Sequence, residues 1–139
     1  MAQIVADVMT RNPVTIERNE SAAEAARLMA RGDMGNVIVL DNGAVSGILT
    51  DRDITIRLVA QEKDPHTPVA EIVSDATIVT ASPDMPLDKA VQLMRQHAVR
   101  RIPVLQQGRA VGVVSLGDLA MERDPNSALA DISAAEGNV

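Results

Sequence analysis

The chain has 139 residues, no Phe, Tyr or Trp, no cysteine and a formal net charge of −6. The length suits one domain or two small halves with an aliphatic core, and the missing cysteines exclude a disulfide framework, a thiolate zinc site and a thiol nucleophile. The acidic charge and the absence of aromatic rings argue against a nucleic-acid partner, because phosphate binding needs clustered Lys and Arg and single strands are bound by stacking.

The first half of the chain predicts the element order β-α-β-β-α. Ser21 followed by Glu24 forms a capping box, which predicts the start of a helix. Two apolar runs on either side of the turn sequence 41–43 predict a β-hairpin. The predicted elements are, in order, a strand at 14–16, a helix to about residue 30, strands at 37–40 and 45–49, and a helix from the Thr50 cap to about residue 60.

The second half repeats the first at an offset of 65 residues. Ten of the forty-one aligned pairs between residues 14–54 and 79–119 are identical, where this composition gives about three by chance. The repeat predicts, in order, a strand starting at residue 79, a helix at 87–96, a hairpin of strands at 102–105 and 110–114, and a helix capped by Ser115. Residues 128–135 predict a further short helix.

These patterns together predict a mixed α/β fold. The predicted parts are a first repeat at 5–61, a polar connector at 62–68, a second repeat at 69–123 and a tail at 124–139. Because about 65 residues is marginal for an independent aliphatic core, we expect the two β-α-β-β-α repeats to pack face to face with pseudo-two-fold symmetry.

The repeats carry the motifs of a known family. The first contains GILTDRDI, and the second contains RRIPVL followed by VGVVSLGDL. Over residues 5–123 the chain resembles tandem cystathionine-β-synthase (CBS) domains, or a Bateman module, and is similar to small stand-alone bacterial CBS-pair proteins of the hypoxic or dormancy-response type. The resemblance implies a non-catalytic sensor that binds AMP, ADP or ATP between its halves and forms a homodimer. Other members of the family bind S-adenosylmethionine or NAD(H).

The family's ribose and phosphate motif, glycine–apolar–any–Ser/Thr–any–any–Asp, occurs once in each repeat. Thr50 and Ser115 stand where a strand ends and a helix begins, so free N–H groups and the helix dipole favour a phosphate there. Asp53 and Asp118 would repel a phosphate and therefore suit ribose hydroxyls. The motif glycine would let backbone pass close to a ligand. The alternative is an ordinary capping box without a ligand.

Arg100 and Arg101 open the middle strand of the second repeat. The resemblance implies that a basic residue at this place contacts ligand phosphates, which suits a guanidinium fork. Gly35 and Asn36 hold these positions in the first repeat. We therefore expect the second repeat to prefer charged nucleotides, and the first to bind a less charged ligand, bind more weakly or stay empty. The alternative is a solvated arginine pair or an arginine bridge at a dimer surface.

The adenine must be held without an aromatic ring. In the family the base lies between aliphatic side chains, which makes Val14 and Val79, at the start of each repeat's first strand, candidates together with the adjacent Thr15 and Thr80. The alternative is that both valines are ordinary core residues.

The hypothesis is an adenosine-nucleotide sensor that acts on an unidentified effector protein. No nucleophile–base pair and no histidine pair at metal-ligand spacing is visible, so we expect neither an enzyme nor a metal site. The start of the chain has no signal region or long apolar run, so we expect a cytoplasmic protein without a membrane partner. The alternatives are a ligand-free interaction or scaffold protein and a sensor of S-adenosylmethionine or NAD(H).

Overall fold

Strands and helices of the chain follow the predicted order closely. The computed structural model describes residues 3–74, 78–123 and 126–135. Its strands are β1 (Thr10–Arg11), β2 (Thr15–Glu17), β3 (Asn36–Asp41), β4 (Ala44–Thr50), β5 (Arg101–Gln106) and β6 (Arg109–Ser115). Its α-helices are α1 (Ala22–Gly32), α2 (Asp51–Asp53), α3 (Leu87–His97), α4 (Leu116–Arg123) and α5 (Ala128–Ala134). A π-helical stretch at Ile54–Val59 continues α2, and short 3-10 helices cover Val5–Asp7 and Val69–Glu71.

Two compact units divide the chain. Val14–Ile78 form the first unit, and Met1–Pro13 together with Val79–Asn138 form the second unit. Each unit combines a small sheet with helices, so the predicted mixed α/β class with two repeats is confirmed.

The first unit is built on a three-stranded sheet in the order β2-β3-β4. β2 and β3 are parallel, and β3 and β4 form the predicted hairpin, whose turn residues Asn42 and Gly43 have φ of 51° and 87°. α1 begins where the capping box predicts, because Ser21 Oγ accepts a hydrogen bond from Glu24 N at 3.1 Å. The buried core residues are Ile16, Ala22, Ala25, Met29, Val37, Val39, Leu49, Leu58, Val69 and Ile72.

The second unit has a three-stranded sheet in the order β1-β6-β5. β5 and β6 form the second predicted hairpin, and β1 pairs antiparallel with β6. The predicted short helix near the end of the chain forms as α5, where Ser127 Oγ accepts a hydrogen bond from Ala130 N at 3.0 Å. The buried core residues are Val5, Met9, Ala81, Leu87, Ala90, Met94, Ile102, Val104, Val114 and Leu119.

The strand predicted to start at residue 79 does not form. In the first unit, Ile38 N donates to Val14 O at 3.0 Å in the parallel pairing of β2 with β3. Pro103 stands at the position equivalent to Ile38, and proline has no N–H to donate. The second unit keeps only an isolated parallel bridge at Ala81. The prediction of a repeated first strand was therefore wrong, because the proline removes one bond of the ladder.

The segment ahead of the first repeat belongs to the second unit. Residues 5–10, with the sequence VADVMT, correspond to residues 69–74, with the sequence VAEIVS, at an offset of 64. Val5 N donates to Met85 O at 2.8 Å, and the Val5 side chain is fully buried in the second-unit core. The first residues of the chain therefore help to build the second repeat.

The equivalent segment ahead of the second repeat belongs to the first unit. Val69 N donates to Glu20 O at 2.8 Å, and both Val69 and Ile72 are fully buried in the first-unit core. Each unit is thus completed by the segment that precedes the other repeat. The compact units and the sequence repeats consequently divide the chain at different places.

Candidate functional site

The first-unit junction, residues 47–53, connects β4 to α2. Thr50 ends the strand in an extended conformation, and its Oγ1 accepts a hydrogen bond from Asp53 N at 3.2 Å. Asp53 Oδ2 in turn accepts from Thr50 N at 2.9 Å. These reciprocal bonds form a complete capping box. The other carboxylate oxygen of Asp53 lies 3.6 Å from Arg57 Nε, so this acid also has an ion-pair partner.

The second-unit junction, residues 112–118, repeats the capping box between β6 and α4. Asp118 N donates to Ser115 Oγ at 3.1 Å, and Asp118 Oδ2 accepts from Ser115 N at 2.9 Å. Glu122 stands where the first unit has Arg57, so Asp118 lacks the equivalent cation. Within the described residues, Asp118 Oδ1 has no hydrogen-bond or ion-pair partner. This oxygen is therefore available as an acceptor for a ligand.

Burial raises the pKa of the Asp118 carboxyl above its ordinary value, while hydrogen bonding from Ser115 acts in the opposite direction. Burial has this effect because it disfavours the ionised form. A titratable group whose pKa is shifted by burial is a candidate functional group.

The raised pKa of Asp118 predicts how stability depends on pH. Because the folded-state pKa lies above the ordinary value of 3.8, the stability from neutral Asp118 is fully present below that value and is lost as the pH rises through the folded-state pKa. Asp118→Asn keeps an acceptor for Ser115 N but does not titrate. Urea unfolding of both proteins from about pH 4 to about pH 7 should show the variant gaining stability relative to the wild type. A relative loss of stability by the variant over this range would contradict the assignment.

The motif glycines adjoin the protein's own chain. A Cβ on Gly112 would lie 2.7 Å from Met9 Sδ and 2.8 Å from Thr10 O. A Cβ on Gly47 would lie 3.1 Å from Val73 Cγ2. Met9 and Val73 are equivalent at the offset of 64, so each glycine makes room for the segment that completes its unit. Both glycines thus permit close contacts within the fold. Gly112 allows a backbone and a side chain to approach, and Gly47 allows a side chain to approach.

Two exposed cations adjoin the second-unit cap. Arg101 lies directly opposite Ser115 in the pairing of β5 with β6, and Arg100 O accepts a hydrogen bond from Leu116 N at 2.8 Å. In the part of the chain that the structure describes, neither guanidinium has a hydrogen-bond or ion-pair partner. The structure therefore brings four predicted residues to one corner of the second unit, since Asp118 belongs to the same cap.

The first-unit cap has no such cations on its neighbouring strand. Asn36 lies opposite Thr50, and Gly35 O accepts a hydrogen bond from Asp51 N at 2.9 Å. Asp51 was not among the predicted site residues, although the repeat pairs it with the apolar Leu116. The two caps therefore differ in charge at the first helical position.

The candidate base-binding residues lie on other segments than the caps. Thr15 is exposed on β2, and β3 separates it from the strand that ends at Thr50. Val14 and Val79 are partly buried against the cores of their own units, and Thr80 is also partly buried. This packing supports the core alternative for the two valines. Contact of these four residues with adenine stays a prediction.

Two general features of the described residues bear on function. None of their helices combines the length and the apolar character needed to cross a membrane. No group of three His, Cys, Asp or Glu side chains among residues 3–74, 78–123 and 126–135 is arranged to hold a metal ion.

Comparison with known proteins identifies the repeats. The family model "CBS domain" matches residues 5–60 and 69–124. CBS domain-containing protein YhcV of Bacillus subtilis is 44% identical over 133 residues, which cover 93% of this chain and 94% of that protein. Hypoxic response protein 1 of Mycobacterium tuberculosis is 31% identical over 115 residues, which cover 82% of this chain and 80% of that protein.

A solved structure supports the same assignment. The CBS domain pair of protein MJ0100, in complex with 5′-methylthioadenosine and S-adenosyl-L-methionine, matches with a TM-score of 0.78 at 27% identity. The match covers 89% of this chain and 98% of that chain. The resemblance drawn from the repeated motifs is therefore confirmed: the chain belongs to the CBS domain family and contains a pair of these domains.

Proposed function

We propose that the chain is a non-catalytic regulatory sensor of an adenosine nucleotide, AMP, ADP or ATP, in the cytoplasm. The observation that carries the proposal is the second-unit corner, where Arg100 and Arg101 flank the Ser115 cap and have no acidic partner among the described residues. Guanidinium groups without an acidic partner, close to the positive end of a helix, are a favourable place for phosphate oxygens.

Asp118 supplies the second part of the proposed contact. Its Oδ2 is used by the capping box, and its Oδ1 remains as an acceptor for a ribose hydroxyl. One carboxylate can therefore hold the helix start and contact the ligand at the same time. Asp53 offers less, because its Oδ1 lies within ion-pair distance of Arg57.

Regulation would follow from a difference in ligand affinity between two states of the protein. A ligand shifts a conformational equilibrium only as far as it binds one state more tightly than the other. We propose that a homodimer carries this shift to an effector protein.

A second candidate is a sensor of S-adenosylmethionine or a related nucleoside. The observation that favours it is the MJ0100 domain pair, which was solved with 5′-methylthioadenosine and S-adenosyl-L-methionine. A third candidate, a ligand-free scaffold, is favoured by the capping boxes, since both acids already have partners within the fold.

The absence of tryptophan and tyrosine provides a direct test. Protein freed of nucleic acid should show an absorbance peak near 260 nm if a nucleotide co-purifies, because the chain itself contributes almost nothing there. Extraction and mass spectrometry would name the ligand, and calorimetric titration with AMP, ADP and ATP would measure its affinity.

We expect Asp118→Ala to weaken nucleotide binding by about tenfold to a hundredfold, the range for a hydrogen bond to a charged group. Ser21→Ala is the matched control, because it removes a helix cap from α1 and belongs to neither junction. If no nucleotide binds the wild type or raises its melting temperature, the sensor proposal is wrong. If Asp118→Ala binds as tightly as the wild type, the site lies elsewhere.

A further inference from the structure

The turn of the first-unit hairpin carries a chemically labile sequence, Asn42-Gly43. We infer that Asn42 is a site of spontaneous deamidation, and that the Glu17 carboxylate protects the site by binding the backbone N–H group that the reaction needs. This protection acts on the lifetime of the first unit and needs no ligand, so it lies outside the proposed function. It gives a role to a glutamate that belongs to neither junction.

Deamidation starts at the peptide bond between the two turn residues. The Gly43 backbone N loses its proton to water and attacks Asn42 Cγ, and the new N–C bond closes a succinimide ring. The bond from Cγ to Nδ2 breaks, and the side-chain nitrogen takes up a proton and leaves as ammonia. Water then opens the ring at either carbonyl, which leaves aspartate or isoaspartate at position 42. Glycine favours the first step because it has no side chain to hinder the attack, and asparagine is among the thermolabile residues for this reason.

The two turn residues are open to solvent. Asn42 and Gly43 are both exposed, and a Cβ on Gly43 would have no atom within 4 Å. Asp41 pairs with Ala44, so these two residues form the whole loop. Their φ of 51° and 87° suit a two-residue type I′ turn. Burial therefore does not shield the reacting atoms.

The Glu17 side chain binds both backbone N–H groups of the turn. Glu17 Oε2 accepts a hydrogen bond from Asn42 N, and Glu17 Oε1 accepts one from Gly43 N, each at 3.1 Å. The parallel pairing of β2 with β3 places the glutamate there, because Glu17 lies opposite Leu40 at the end of that pairing. Attack on Asn42 Cγ requires the bond from Gly43 N to break, and a hydrogen bond to a charged group is stronger than one between neutral groups.

The charge of Glu17 opposes the reaction in addition to its hydrogen bond. Deprotonation of Gly43 N places negative charge on a nitrogen beside the carboxylate, and like charges at this distance repel. Asp41 also adjoins the turn, but its Oδ2 lies 3.6 Å from Arg18 Nη1, which offsets its charge. Glu17 therefore raises the barrier to formation of the succinimide.

The second hairpin has the same turn without this protection. Gln107 and Gly108 have φ of 53° and 78°. Ser82, with a neutral side chain, stands at the position equivalent to Glu17. Over the described ranges of the chain, no side chain accepts a hydrogen bond from Gln107 N or Gly108 N. Glutamine cyclises less readily than asparagine because its longer side chain would form a larger ring. The unit without the glutamate thus also has no labile asparagine in its turn.

Incubation of the full chain in mildly alkaline buffer, followed by peptide mass spectrometry, measures conversion at Asn42. Glu17→Ala is expected to convert about tenfold faster than the wild type, the lower end of the range for a hydrogen bond to a charged group. Glu17→Gln keeps an acceptor without the charge and should convert at an intermediate rate. Glu71→Ala is the matched control, because Glu71 lines the same cleft as Asn42 but does not accept a hydrogen bond from the turn. Its rate should stay within about twofold of the wild type.

The variant Gln107→Asn provides a comparison within one molecule. It places an asparagine before Gly108 in the unprotected turn, so position 107 should convert about tenfold faster than Asn42 in the same sample. This comparison leaves Glu17 and the fold of the first unit unchanged. Equal rates at the two positions, or a Glu17→Ala protein that converts no faster than the wild type, would overturn the protection by Glu17. No conversion at Asn42 in any variant would overturn the site itself, and neither outcome bears on the sensor proposal.

Discussion

Replacing Ile72 with alanine is expected to lower the free energy of unfolding by about 2–5 kcal/mol, the cost of removing a large aliphatic side chain from a packed core. Ile72 follows the predicted connector in sequence, yet its side chain is fully buried in the first-unit core together with Val69. The truncation would leave a cavity in the unit formed mainly by the first repeat. Because the chain has no tryptophan or tyrosine, urea unfolding should be followed by far-ultraviolet circular dichroism.

Ile56→Ala is the matched control for this experiment. It is the same substitution in the same unit, but the Ile56 side chain is 42% exposed. Its truncation should cost less than about 1 kcal/mol, because the side chain is already partly in water and its removal leaves no enclosed cavity. Equal losses in the two variants would show that residues 69–74 do not complete the first unit.

Replacing Gly112 with alanine is expected to destabilise the protein by about 2 kcal/mol, within the range for overpacking a close contact. The added methyl group would lie 2.8 Å from Thr10 O and 2.7 Å from Met9 Sδ. The methionine can move, but the carbonyl belongs to β1 in its pairing with β6, so the strand itself must shift. Thermal unfolding should show a melting temperature lower by about 5 °C.

The equivalent glycine of the first unit supplies the control. A methyl group on Gly47 would meet only Val73 Cγ2, at 3.1 Å, which a small side-chain adjustment relieves. Gly47→Ala should therefore cost less than half as much as Gly112→Ala. If both variants melt at the same temperature, the close approach of β1 is not what requires the glycine.

The local elements could be predicted because short-range chemistry specifies them. Ser21, Thr50 and Ser115 each cap a helix as their sequence context predicts, through side-chain bonds that span three residues. The hairpin turns form at Asn42-Gly43 and Gln107-Gly108, where both glycines have positive φ. Such signals act within a few residues and need no knowledge of distant contacts.

The missing strand after residue 78 shows where repetition misleads. Pro103 is plain in the sequence, but its effect depends on which N–H the partner strand requires. Only the pairing in the first unit, from Ile38 N to Val14 O, shows that this particular donor is the one that proline removes. The prediction from the sequence repeat therefore overstated how similar the two repeats are in structure.

Part of the candidate site could be predicted, because that part is also specified by contacts over a few residues. Thr50, Asp53, Ser115 and Asp118 were found from a motif whose members lie three residues apart, and the structure joins them in pairs by hydrogen bonds. The motif alone could not show that the Asp51 carboxylate lies beside Gly35, because that residue is sixteen positions earlier, directly ahead of β3.

By itself the sequence determined the repeat, the order of strands and helices, the aliphatic character of the core and the two capping boxes. The tertiary structure alone decided that residues 5–10 complete the second unit and residues 69–74 the first. It also decided which charges meet at each helix start. The physical reason is that caps and turns are stabilised within a few residues, whereas packing partners and facing charges are chosen by contacts between distant parts of the chain.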